Sequence, residues 1–370
     1  MDKNPCVNIY KMIRELKVVH HKKRQEFLVE LIGGLIKSRS VLFSEIADKI
    51  DKPIETSSIE RRIQDFFKKV TIDYQQLMYF FLSFVHHDKL TLSIDRTEWD
   101  FGKTQINILC VVVSIGKLAV PIYFEMLDNN SGNSNWSDRI DVLQHILQVI
   151  DISRIEMLVM DREFIGEKWL HWLKKKGVPF CVRVPKHHQI TLRDGSKVKA
   201  MEVLKDKKTA HFSDVFVDNT RVNVSLSFDE DGELLYLIGT VKSASLRAKY
   251  KRRWSIEVFF QALKSRGFLP IAIGIEKSCL RALDKYKKLF AIVSMAYTLC
   301  WATGIQQGRV KPVKVKKHGY PQFSVFRRGL NLLREFFKNK KKKRKMRITI
   351  FNKTLADAFD RLFYLTKTIG

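Results

Sequence analysis

YKRRWSIEVFFQALKSRGF, Tyr250 to Phe268, is the stretch on which the fold of this chain turns. Read as one helix at about 100° per residue, with Tyr250 at 0°, it puts Arg253 at about 300°, Glu257 at about 340° and Lys264 at about 320°. Four polar side chains then share an arc of roughly 60°. Ile256, Val258, Phe259, Phe260 and Leu263 supply apolar surface on the other sides. Such a helix is packed on most sides and turns one stripe toward something anionic. A carboxylate flanked by cations and a phenol suits a metal ion beside a phosphate. Glu257 would hold the metal, Tyr250 and Arg253 the phosphate oxygens, and Lys264 would add a point charge. The same spacing also describes a solvated helix with ordinary i,i+4 and i,i+7 charge pairs. Further carboxylates in the right context decide between the two.

One such carboxylate lies upstream. KLTLSIDRTEWDFG reads as a strand, LTLSID, ending at an acidic cluster with Asp95 at its end. TQINILCVVVSI and LAVPIYFEML follow as two more strand-like runs joined at Gly116-Lys117. An Asp closing a strand is most often a turn former, but a strand can also pin a carboxylate as rigidly as a metal ligand requires. Glu98 and Asp100 are rival acids in the loop expected after it. Asp161 is the second, directly after the buried-strand run IEMLVM, at the C-terminal end of a strand, where α/β sheets place their sites. DREFIGEKWLHWLKKKG then reads as a helix closed by Gly177, and VPFCVRV as a strand. Glu163 reads as a charge at that helix's N-terminus. Upstream, SDRIDVLQHILQVI reads as an amphipathic helix capped by Ser137.

Tyr-x2-Arg-x3-Glu-x6-Lys fits Tyr250, Arg253, Glu257 and Lys264 without a gap, amid Trp254, Ile256, Leu263, Gly267 and Phe268. With IDRTEWDFGKTQINIL around Asp95, LVMDREFIGEKWLHWLKKKGVPFCVRV around Asp161 and KKHGYPQFSVFRRGLNLLREFF downstream, the chain resembles the bacterial insertion-sequence DDE transposases of the Tyr-Arg-Glu-Lys signature group. The resemblance runs from Asp95 to Phe337. It implies an α/β fold: an RNase H-like mixed sheet with flanking helices, interrupted by a β-rich insertion, plus an N-terminal helical domain. It implies Asp95, Asp161 and Glu257 as catalytic carboxylates holding two Mg2+ or Mn2+ ions, and Tyr250, Arg253 and Lys264 as contacts to DNA phosphates near the cleaved end. The reaction implied is hydrolysis at the element ends and joining of the freed 3′-OH to target DNA, with no covalent enzyme intermediate. Two ends must meet, so a homodimer on double-stranded DNA is expected. Some relatives form a DNA hairpin and use a tryptophan of the insertion to hold a flipped base. No Trp stands between Trp172 and Trp254 here, which leaves Tyr236 or a phenylalanine to stack.

Composition agrees with a polyanionic partner. The chain has 370 residues, 45% of them hydrophobic, and a formal charge of +28. That length and apolar content suit a globular protein of two or three domains, and the charge points to nucleic acid before an anionic membrane. MDKNPCVNIYKMIRELK has no apolar h-region, so no signal peptide is read there. The run from Leu289 to Ala302 is shorter than the roughly 18 residues that span a bilayer and reads as a buried helix. Cys6, Cys110, Cys181, Cys279 and Cys300 show no CxxC spacing and read as small core residues of a reducing compartment. The adjacent pairs His20-His21, His86-His87 and His187-His188 are poorly placed to share one metal. A cytoplasmic, nucleoid-associated bacterial protein without a membrane partner is expected.

The expected organisation is a helical DNA-binding domain over 1–88, the first part of the core over 89–186, the β-rich insertion over 187–245, the second part of the core with the Glu helix over 246–305, and a basic helical region over 306–370. In the first, VLFSEIADKI and IERRIQDFFKK read as two short helices, the second capped by Ser57 or Ser58, with Arg61 and Arg62 off the apolar face. They fit a helix-turn-helix-like DNA reader or a plain bundle with a solvated basic face. In the last, eight of the ten residues Lys338 to Arg347 are Lys or Arg, a segment expected to touch phosphates in a salt-sensitive way. Two other functions stay open: a metal-dependent RNase H-like nuclease that cuts without joining, and a non-catalytic DNA-binding protein, either a decayed transposase or a repressor.

Overall fold

The computed structural model describes residues 5–101, 104–128, 132–266, 279–317, 319, 321–337 and 344–367. Gly267, Phe268 and residues 338–343 of the basic run lie outside them. The chain divides into two compact units. One comprises Met1–His86, Trp99–Ile106 and Phe260–Gly370, the other His87–Glu98 and Asn107–Phe259.

The first unit opens with α1 (Pro5–Leu16), α2 (Lys22–Ser38), α3 (Phe43–Ala47), α4 (Thr56–Lys69) and α5 (Tyr74–Leu82). In α4 the expected stripe Ile59, Ile63, Phe66 and Phe67 is buried, and Arg61 and Arg62 are exposed. The expected serine cap is not used. The helix begins at Thr56 with Glu55 at the N-cap and no side-chain cap bond, so Ser57 and Ser58 fall inside the first turn. Asp73 does cap α5, accepting from the Gln76 amide at 3.0 Å.

The second unit is built on a ten-stranded sheet in the order β3-β2-β1-β4-β5-β10-β9-β8-β6-β7. β1 (Leu90–Phe101), β2 (Thr104–Ile115) and β3 (Leu118–Leu127) are the three expected runs, and β2 and β3 pair antiparallel across Gly116, whose φ of +62° suits a residue without Cβ. α6 (Trp136–Leu147) leads to β4 (Ile155–Met160), which pairs parallel with β1. α7 (Glu167–Lys176) leads to β5 (Phe180–Arg183), parallel to β4. This is the expected mixed sheet with flanking helices. β1 is its centre: Leu90, Leu92 and Ile94 are buried on one face, Thr91 and Ser93 on the other.

Two local readings change here. α6 is capped by Asn135, not Ser137. The Asn135 side chain accepts from the Asp138 amide and the Asp138 carboxylate accepts from the Asn135 amide, a reciprocal capping box, while the Ser137 hydroxyl donates to Asn135. The segment after Asp161 is a 3-10 turn, Arg162–Phe164, and α7 begins only past Gly166. Gly177 ends α7 as expected, in the left-handed conformation, beyond Lys174, Lys175 and Lys176.

The β-rich insertion continues the same sheet. β6 (Gln189–Thr191), β7 (Lys197–Lys199), the short α8 (Ala200–Val203), β8 (Thr209–Val217), β9 (Thr220–Phe228) and β10 (Leu234–Gly239) follow in sequence, and β10 pairs antiparallel with β5. α9 (Ser243–Tyr250) then packs on the sheet through Leu246, with Met157, Val159, Cys181, Leu235 and Leu237 forming the core beneath it and Tyr250 against that core. Gly239 permits the approach: a Cβ there would stand 2.4 Å from the Phe180 carbonyl oxygen and 2.7 Å from a Leu246 methyl carbon. α10 (Trp254–Gln261) follows.

The first unit is completed by α11 (Cys279–Val310), α12 (Val325–Phe337) and α13 (Arg344–Lys367). Gly304 and Gly329 let α11 meet the start and body of α12, since a Cβ on Gly329 would lie 1.7 Å from the Cys300 carbonyl oxygen. Leu283–Val310 has the length and apolarity of a membrane span, but its apolar window is 94% buried, as the sequence reading of Leu289–Ala302 expected. Cys110, Cys181 and Cys300 are free and buried.

Candidate active site

Five of the six residues singled out in the sequence stand together in the second unit. The parallel register of β1 and β4 runs to Ile94 beside Met160, so the next residues, Asp95 and Asp161, stand at the same level where that pairing ends. Asp95 is not at the end of its strand. β1 continues to Phe101, and what ends at Asp95 is its pairing with β4. The Asp95 carboxylate accepts from its neighbour's amide, Arg96 N, at 2.8 Å.

The stretch that carries Tyr250, Arg253 and Glu257 is not the single helix its periodicity suggests. It runs as α9, a 3-10 turn over Lys251–Arg253, α10, and a π-helical turn over Ala262–Arg266. A 3-10 turn has three residues per turn, so residues i and i+3 eclipse. Tyr250 and Arg253 therefore share one face, and Lys249 and Arg252 the next. The first pair reaches the carboxylates. Tyr250 Oη donates to Asp161 Oδ1 at 3.0 Å, and the Arg253 guanidinium lies 5.8 Å from the Tyr250 ring centroid. The second pair binds Glu156 at the start of β4: Arg252 Nη1 donates to Oε2 at 2.7 Å, Lys249 Nζ to Oε1, and Thr91 Oγ1 to Oε2 at 2.8 Å.

Arg253 is the centre of the site. Its Nη1 donates to Asp95 Oδ2 at 3.1 Å and lies 3.9 Å from Asp161 Oδ2, and its Nη2 donates to Glu257 Oε1. One guanidinium thus touches all three carboxylates. Burial pushes the Asp95 carboxyl up to about 7, against the pull of Arg253 and the Arg96 amide, with Glu163 and Asp161 adding to the rise. Burial works against the charge on Arg253, but Tyr250, Asp161, Asp95 and Glu257 outweigh it and hold the guanidinium above its ordinary value. Burial, then Asp161, raises the Tyr250 phenol.

Beneath the site, three buried serines fix the helix to the sheet. Ser255 Oγ donates to Ser114 Oγ at 2.8 Å, and Ser114 and Ser93 share a bond of 2.8 Å. Ser93 is two residues before Asp95 on β1, hence on the same face, and Ser255 is two before Glu257. The chain of hydroxyls ties both acid-bearing elements to β2.

The sequence reading missed a second layer. Glu163 is no free helix-end charge: Arg96 Nε donates to both its oxygens at 3.2 and 3.1 Å, and Arg96 Nη1 donates to Asn107 Oδ1 at 2.9 Å and Glu98 Oε1 at 3.1 Å. Burial raises the Glu163 carboxyl against the opposing pull of Arg96. Arg139 of α6 lies over the Phe164 ring at 4.9 Å and donates to the Glu163 carbonyl at 2.9 Å and the Ser134 carbonyl at 2.6 Å. Arg96 and Glu163 each sit within two residues of a candidate acid, which is the signal available in the sequence. Glu98 therefore belongs to the Arg96 network. Lys264 lies in the π-helical turn, in the first unit, partly buried. Tyr236, weighed as a base-stacking residue, is fully buried in β10 and its ring is closed to a nucleotide. Phe216 of β8 is the exposed phenylalanine of the insertion.

The donor set suits a hard divalent cation, since three carboxylates offer oxygen ligands around one positive charge. Among the described residues no three His, Cys, Asp or Glu side chains form a ready metal cage. The cation that these acids surround is Arg253. Among the described residues, three acids against one guanidinium leave a surplus of negative charge at the cluster.

The family model described as "Transposase DDE domain" matches residues 87–299. No curated protein matches the chain in sequence. Among solved structures, it is similar to piggyBac transposase in a cryo-EM synaptic complex with hairpin DNA, at 10% identity and a TM-score of 0.45, over 98% of this chain and 81% of that one.

Proposed function

The chain belongs to the transposase DDE domain family and is a DNA transposase, and from that premise we propose that it binds the terminal inverted repeats of an insertion sequence, cleaves DNA at the ends and joins the 3′-OH to target DNA. The observation that carries this reading is the convergence of Asp95, Asp161 and Glu257 on the single guanidinium of Arg253. Asp95, Asp161 and Glu257 would hold two Mg2+ or Mn2+ ions. When bound, the ions supply an acidified water or activated 3′-OH and stabilise the leaving oxygen. The chain's own part is placement. β1 and β4 fix the two aspartates side by side, the serine chain fixes α10, and Tyr250 orients the Asp161 carboxylate. Arg253 and Lys264 add positive charge for the phosphates near the cleaved end, and the charge of +28 favours a polyanion throughout. The helices of residues 1–88 would read the repeat, and two copies would meet on DNA in the bacterial cytoplasm.

The test uses duplex DNA carrying the gene's own flanking sequences, with Mg2+ or EDTA, and wild type beside Glu257→Gln. The expected result is metal-dependent cutting at the repeat boundary, absent in the variant, with strand-transfer products on added target DNA. Cutting without joined products would favour a nuclease. Binding without cutting by wild type would leave a DNA-binding protein.

A further inference from the structure

We propose that Arg253 stands in for the divalent cation in the metal-free protein and must leave the three carboxylates before an ion can bind there. The inference rests on the metal-holding role proposed above for Asp95, Asp161 and Glu257, and adds that the site is charged and discharged by exchange between a side chain and an ion.

The geometry makes the exchange necessary. Each acid turns an oxygen to the guanidinium: Asp95 Oδ2 accepts at 3.1 Å, Glu257 Oε1 accepts as well, and Asp161 Oδ2 lies 3.9 Å away as an ion pair. A carboxylate oxygen that accepts from a guanidinium N–H has that lone pair engaged. Two cations within one such cluster also repel strongly where solvent is largely excluded, and the Arg253 side chain is only 13% exposed. Arg253 cannot lose its proton to make room. It has to move.

The balance of charge says which cation wins. Among the described residues, one guanidinium faces three acids, which leaves the cluster short of positive charge. A dication neutralises more of it and meets the oxygens without the directional demands of N–H donors. The arginine is therefore a placeholder that keeps the buried acids from standing unpaired until metal arrives. It also lies over the ring of Tyr250, at 5.8 Å from the centroid. A side chain expelled by metal is then free to meet a DNA phosphate, which links metal loading to substrate grip.

Mn2+ binding to the full chain without DNA, followed by electron paramagnetic resonance of the free ion, tests this without any turnover. Wild type is compared with Arg253→Gln and with Asp95→Asn/Asp161→Asn. The expected result is Mn2+ binding about tenfold tighter in Arg253→Gln than in wild type, a net change of about 1.4 kcal/mol, because the guanidinium no longer competes for the carboxylates, and lost in the double variant. Equal or weaker binding in Arg253→Gln, with loss in the double variant, overturns the exchange and leaves the metal site standing. Equal binding by wild type and the double variant overturns the metal site, and the exchange with it. If Arg253→Gln fails to fold in EDTA, refolding on addition of Mn2+ supports the exchange. Failure to refold shows that Arg253 holds the fold for another reason and overturns it.

Discussion

β4 carries two carboxylate clusters, one at each end, and they are built from the same materials in opposite proportion. At its start, Glu156 is gripped by Lys249, Arg252 and Thr91, one acid against two cations. Just past its end, Asp161 shares Arg253 with Asp95 and Glu257, three acids against one cation. Both sets of basic residues come from one turn of chain, alternate faces of residues 249–253. The two carboxyls titrate in opposite directions, each for its own reason. The hydrogen bond from Lys249, aided by Thr91 and Arg252, pulls Glu156 down to about 2, while burial pushes Asp95 up to about 7. An ion cluster that only supports a fold is satisfied within the chain. A cluster left in deficit has charge to offer a ligand from outside it, and that asymmetry is the basis for proposing one as the site and the other as a brace.

The largest effect is expected from changing the deficit itself. Asp95→Asn or Glu257→Gln should lower DNA cleavage by about three orders of magnitude or more, with DNA retained in a gel-shift measurement because the basic surface is untouched. Retained cleavage would remove these residues from the site.

Stability should then separate the two ends by pH. Asp95 has a folded value above its unfolded one, so the native state binds the extra proton. Its contribution is fully present below about pH 4 and is lost as pH rises to about 7, a change on the order of 4 kcal/mol. Urea midpoints in EDTA should show wild type losing stability over that window relative to Asp95→Asn, and parallel curves would refute the burial. Glu156 behaves in the reverse sense: its contribution is present above the unfolded value and lost as pH falls toward about 2. Because Glu156 and Arg252 are partly solvated, Glu156→Gln should cost only about 1 kcal/mol at pH 7, with cleavage kept within about tenfold. A loss as severe as that of Glu257→Gln would make the brace part of the site.

The smallest effect is expected at Tyr250→Phe. It removes one hydrogen bond to Asp161, at 3.0 Å, and keeps the ring beneath Arg253. Cleavage should fall by about three- to tenfold, the worth of one bond to a charged group exposed in part to solvent. No change would mean that Asp161 is oriented without it.

Much of this site was legible from the chain because strands and helices are periodic. Asp95 and Asp161 follow apolar runs, Tyr250, Arg253 and Glu257 lie within about 60° of one another at α-helical spacing, and the family resemblance singles these residues out among their neighbours. The central sheet was legible for the same reason, in LTLSID, IEMLVM and the alternating insertion. What was hidden depends on partners distant in sequence. Arg96 and Glu163 are 67 residues apart, and Arg252 and Glu156 are 96 apart. Periodicity says where a side chain points and not whom it meets. The 3-10 turn at Lys251–Arg253 was hidden too, because it answers to Glu156 on one side and the acids on the other. The Asn135 cap was masked by an equally good candidate two residues on.

The strands of the insertion join the sheet through β10 on β5, so they do more than hang from the core as a lobe. Without residues 187–245, β5 would become a short, apolar, unpaired border: Phe180, Cys181 and Val182 are all buried. Such borders recruit strands from other copies and aggregate. The segment that separates Asp161 from Glu257 in sequence therefore also seals one flank of the sheet. A chain trimmed of it should precipitate before its chemistry could be examined, whereas one closed by any strand able to pair with β5 should stay in solution.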